Sequence, residues 1–150
     1  MSIVVTNDFL KDMLSQLTAT GGPLDGASCG VFTNDVSLNS SMALEDLTQS
    51  DVAGLVAQSV TWNDAIQRSD GSYDLVGNVC QFNNDPYTDP ITLYGYLVYR
   101  PASSGVLADL MYAELFDAPV TLSNADRGVD VVPVVRVAST FDYGSASVID

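Results

Sequence analysis

The stretch ITLYGYLVYR, Ile91 to Arg100, is rich in β-branched and aromatic residues and contains no proline, so it reads as a β-strand. Side chains alternate across a strand, which puts Leu93, Gly95, Leu97 and Tyr99 on one side and Tyr94, Tyr96 and Val98 on the other. Neither set is polar. Such a strand needs cover on both faces, and what supplies the second cover is the central question for this chain.

Outward from this strand the same texture recurs. Short apolar stretches lie at 29–36, 59–66, 73–82, 107–116 and 129–138, separated by turn-forming clusters such as RSDGS, NNDPYTDP, RPASSG and LSNADRG. This spacing predicts a mainly β domain, an antiparallel β-sandwich or jelly-roll-like barrel, over residues 29–150. Pro133 removes a backbone donor from VDVVPVVRV, so that strand is expected at an edge or with a bulge. Between the first two strands, Leu44–Leu55 reads as a short helix or structured loop, with Thr48 or Ser50 as cap and Gly54 as stop.

Residues 1–20 differ in period. Phe9, Leu10, Met13, Leu14 and Leu17 recur at helical spacing behind a cap at Asn7 or Asp8, predicting an N-terminal helical arm over Phe9–Leu17. The glycine- and proline-containing run 18–28 joins it to the rest, in a single domain overall.

The chain has 150 residues and a formal charge of -14, from 19 acidic and five basic residues. A phosphate backbone or an anionic lipid surface needs cations that this chain lacks, so neither nucleic acid nor membrane is expected as a partner. With 47% apolar and 16% charged residues it does not have the composition of a disordered acidic tail. No basic segment precedes an apolar run at the N-terminus and no apolar run reaches the length of a membrane span, so synthesis in a cytosol is expected.

Catalytic chemistry finds few carriers. There is no histidine, which removes Ser-His-Asp and Cys-His arrangements in their common forms. Cys29 and Cys80 lie far apart in sequence and read as reduced core residues; they cannot form a zinc site alone. Most acids are aspartates in turns, although three clusters, 70–74, 83–89 and 126–130, offer calcium-type oxygens without the helix-loop-helix pattern. Glu114 stands mid-strand on the side of Leu110, Tyr112 and Phe116, and either pairs with Arg100 or Arg136 or faces water or a partner. Trp62 and the tyrosines offer material for a sugar-stacking platform, against the commoner fate of core or interface filling. No cofactor is implied, and no catalytic or metal-binding residue is assigned.

The order of parts, a strand Val31-Phe-Thr-Asn-Asp-Val36, a connector 44–55, a strand with Leu93-Tyr-Gly-Tyr96, then 110–119 (LMYAELFDAP) and a valine-rich closing run, resembles small structural proteins of tailed bacteriophages. That resemblance implies a non-enzymatic virion component, such as a capsid decoration or cement protein bound to the major capsid protein or other virion proteins, or a tail or baseplate adaptor. A homotrimer follows from that function class. A carbohydrate-binding host-attachment module is the alternative. For an assembly protein the interface candidates are Phe9, Leu10, Met13, Leu14 and Leu17 of the helix and Tyr94, Tyr96, Leu97 and Tyr99 of the strand, with the choice of strand face left open.

Overall fold

The chain's longest apolar run forms a ten-residue strand, Ile91–Arg100, at the centre of a four-stranded sheet. The structure, a computed structural model, describes residues 6–84, 89–123 and 128–137, together with the backbone of 2–4 and 140–142. In chain order the elements are β1 (Ser2–Val4), α1 (Asn7–Thr18), β2 (Ser28–Phe32), two single 3₁₀ turns (Leu44–Asp46 and Ala53–Leu55), β3 (Gln58–Ser59), β4 (Ile66–Gln67), β5 (Tyr73–Val76), β6 (Cys80–Asn83), β7 (Ile91–Arg100), β8 (Asp109–Leu122), β9 (Gly128–Val131), β10 (Val134–Val137) and β11 (Thr140–Asp142). The fold is mainly β and sandwich-like, with every described strand pair antiparallel.

The first layer is the sheet β3-β2-β7-β8. The second is a bent ribbon: β5 pairs β10 and carries β4 at its side, while β6 pairs β9. The predicted single strands 73–82 and 129–138 are therefore each divided in two. The break is a shared corner, where the Gly77 N–H donates to the Pro133 carbonyl at 2.8 Å. A Cβ on Gly77 would lie 2.8 Å from the Pro133 ring and 2.7 Å from Val60, so only glycine lets the two turning strands touch. Pro133, lacking a donor, sits where no ladder bond is required.

The main core lies between the layers. Cys29 and Val31 of β2, Leu93, Tyr96 and Val98 of β7, Tyr73 and Leu75 of β5, Cys80 and Phe82 of β6, and Val131 of β9 are all buried there. The helix closes one end: Leu10 and Leu14 of α1 join the same core at 0% exposure. Its cap is Thr6 rather than Asn7 or Asp8, with the Phe9 N–H donating to Thr6 Oγ1 at 3.3 Å, so the helix starts earlier than its apolar stripe. Nor is the segment a free arm, for β1 pairs with β11.

Strict alternation fails twice, for a physical reason. Opposite Gly95 the ladder skips from Leu115 to Val120, and opposite Tyr99 it skips Met111. Each bulge shifts the phase of the strand faces. Leu93, Tyr96 and Val98 consequently share the inner face, while Tyr94, Leu97 and Tyr99 share the outer one with Phe32.

Candidate functional site

The outer face of β7 is covered by the chain's own loop. Residues 33–48 leave β2 and return across the sheet, laying Val36, Leu38, Met42, Leu44 and Leu47 over Phe32 and Leu97. Asn34 ties the loop shut: its side-chain N–H donates to the Asp46 carbonyl at 2.9 Å, and its Oδ1 accepts the Thr48 N–H at 2.8 Å. The Thr33 N–H donates to the Thr48 carbonyl at 2.8 Å, closing the neck. Loop formation thus buries an apolar sheet face that no strand covers among the described residues.

This places the interface candidates. Leu10, Leu14 and Leu97 are buried inside the chain and present no surface to a partner, and Tyr96 is buried except where it lines the cleft beside Glu114; Tyr94 and Tyr99 are half-buried against the covering loop. Phe9 is on the outer side of α1, and Met13 and Leu17 lie at the helix's margin, half-buried against the core. With Pro23 they line an almost wholly apolar hollow, rimmed by Asp12 and Gln16, in which Phe9 is 57% exposed.

The residues with chemical potential are mostly engaged. Cys29 and Cys80, 51 positions apart, meet between the layers. Burial pushes the Cys29 thiol up, and the neighbouring Cys80 adds to this; burial also raises Cys80, against a lowering contact with Cys29. Neither is a ready thiolate. Asp70 makes an Asx turn, its Oδ1 accepting the Ser72 N–H at 3.0 Å and the Ser72 hydroxyl at 2.6 Å, and these bonds hold its carboxyl below the usual range. Asp74 is gripped by Arg136, Nε to Oδ1 at 2.8 Å and Nη2 to Oδ2 at 3.2 Å, and by Arg68 at 3.0 Å. The Arg136 bonds are the main reason its carboxyl is held low. Among the described residues no group of three acids or cysteines could hold a metal ion, while positions 85–88 and 124–127 of the other two acidic clusters lie outside them.

Glu114 corrects the sequence-based pairing. Arg100 is bound to Asp109 at 2.9 Å and Arg136 to Asp74, and the residue opposite Glu114 is Tyr96, whose hydroxyl donates to the Glu114 carboxylate at 2.8 Å. The bulge at Met111 turns Leu110 to the other face, so only Tyr112 and Phe116 stay on Glu114's side. Tyr96 packs edge-on against Tyr112, with ring centroids 6.2 Å apart. Burial raises both phenols, that of Tyr96 further through Glu114.

The aromatic residues do not assemble into one platform among the described positions. The Trp62 indole N–H donates to the Leu24 carbonyl at 3.1 Å beside α1, Tyr73 is in the core, and Tyr94 and Tyr99 lie across the first layer. Comparison with protein-family models, with curated proteins and with solved structures found no match to this chain.

Proposed function

We propose that this chain is a non-enzymatic structural protein of a tailed-phage virion, a capsid decoration or cement protein that binds the head shell through the major capsid protein. The observation that carries this reading is the apolar hollow of Phe9, Met13, Leu17 and Pro23, where Phe9 is exposed beside half-buried Met13 and Leu17, on a chain that covers even the outer face of its central strand. The engagement of its cysteines, Asp70 and Asp74 in packing, turns and ion pairs supports a role without catalysis. The high negative charge would keep a decorated particle dispersed.

In this reading the α1 face joins three copies around an axis, since cyclic symmetry repeats one patch and buries it in a closed ring. Light scattering tests the assembly: the purified chain should have about three times its own mass at micromolar concentration. Phe9→Ser should return the monomer with an unchanged unfolding midpoint, because Phe9 is 57% exposed, whereas a monomeric wild-type chain overturns the trimer. Particles of the phage that encodes the chain test the location. Separated heads should contain it and separated tails should not, and heads lacking it should rupture at lower temperature. Presence in tails alone favours the adaptor reading, and absence from particles ends both.

A further inference from the structure

The sandwich is open along one side. There β8 is the last strand of the first layer, and β9 and β10 pair only with β6 and β5 among the described residues. Between these edges runs a cleft of about 470 Å³, walled by Tyr96, Glu114 and Phe116 on one side and by Asp130, Val132 and Arg136 on the other. We infer that this cleft receives an extended segment of a different protein, added as a strand between β8 and the β9–β10 ribbon, with a lysine or arginine set between Glu114 and Asp130.

Three observations point to that occupant. Unpaired strand edges offer rows of N–H and C=O groups that an extended chain satisfies, and two such edges here face one space. Phe116 is half-buried and Val132 is 41% exposed, so apolar side chains of an added strand would find cover. The charges that line the cleft are Glu114, Asp130 and Arg136, two negative against one positive, and two hydrogen bonds turn Arg136 to Asp74. What remains is negative. A second copy of this chain fits poorly: it brings another -14, and of its described cations Arg68, Arg100 and Arg136 are held in ion pairs of their own, which leaves Lys11 of α1. This site is separate from the α1 face and stands whether or not the virion reading holds.

The probe is the peptide acetyl-Val-Thr-Val-Lys-Val-Thr-Val-amide, with glutamate replacing lysine in its control, added to the full chain at up to about 1 mM. Hydrogen exchange should slow in Asp109–Leu122 and in the β9–β10 ribbon, and the lysine peptide should bind about tenfold more tightly than its control. Glu114→Gln with Asp130→Asn should remove that preference and leave the unfolding midpoint in place, since glutamine still accepts the Tyr96 hydroxyl. Phe9→Ser should have no effect. The proposal is overturned by absence of protection in either edge, by equal binding of the two peptides, or by concentration-dependent protection of β8 in the protein alone, which would seat a second copy there.

Discussion

The two faces of the first layer are covered by different means. Its inner face meets a second layer of strands and the stripe of α1, so regular structure supplies the buried neighbours of Leu93, Tyr96 and Val98. Its outer face meets a loop that makes one 3₁₀ turn and no ladder, held by a few bonds at Thr33, Asn34 and Thr48. Both covers exclude water equally well at their centres: Leu93 and Leu97 are each 0% exposed. The lesson is that a strand apolar on both faces need not signal a partner. A loop of sixteen residues, 33–48, does the same work, provided that its neck is tied by side-chain bonds to backbone.

The comparison is broken most severely at Gly95, which belongs to both faces. A Cβ there would lie 2.2 Å from the Glu114 carbonyl oxygen and 2.6 Å from the Phe32 ring. The oxygen is backbone and cannot swing aside. Gly95→Ala should therefore cost about 3 kcal/mol or more, beyond ordinary overpacking, and leave little folded protein by circular dichroism at 37 °C.

A matched pair sharpens it. Leu97→Ala and Leu93→Ala each empty a fully buried site, and each should cost about 2–5 kcal/mol in urea unfolding. Near-equal losses mean that the loop is as firm a cover as the second layer. A loss at Leu97 of less than about 1 kcal/mol would mean that the loop stands open much of the time.

The neck of the loop comes next. Asn34→Ala removes an acceptor for the Thr48 N–H and a donor for the Asp46 carbonyl, a loss of about 1–3 kcal/mol for two bonds. Its signature is local: exchange should quicken in 35–47 and stay slow in β5 and β6. Uniform acceleration would show instead that loop and layers open as one unit.

What the sequence disclosed follows the same division. Ile91–Arg100 has the bounds read from its composition, because ten residues rich in β-branched and aromatic side chains and without a proline leave few alternatives to a strand. The helix was legible in the spacing of Leu10 and Leu14, and the mainly β sandwich in the recurring turn clusters. The covering loop was not, since Val36, Leu38, Met42 and Leu44 lack both a helical period and a run of β-branched residues, and their burial depends on Asn34 closing a distant neck. The bulges were hidden too. Met111 looks like any apolar strand residue, yet by stepping out of register it turns Glu114 toward Tyr96 rather than toward an arginine. The division of 73–82 was written at Gly77, but its reason, contact with Pro133, joins two positions 56 residues apart.

The smallest expected effect isolates the second layer. Asp74 joins β5 to Arg136 of β10 and to Arg68, and the exposure of both guanidinium groups keeps the contribution of each pair small. Because the Arg136 hydrogen bonds depress the Asp74 carboxyl in the folded chain, its contribution is complete above the unfolded carboxylate value of about 4 and is lost as pH falls through the lower folded value. The stability difference between wild type and Asp74→Asn should accordingly be constant from about pH 8 to pH 5 and decline as pH falls below about 4, and it should shrink in high salt. Loop exchange over 35–47 should not change in this variant, because the ion pairs lie on β5 and β10 rather than on the sheet that the loop covers. If it does change, the covers are coupled through the core, and the contrast between a strand-built face and a loop-built face reduces to one of geometry without a difference in stability.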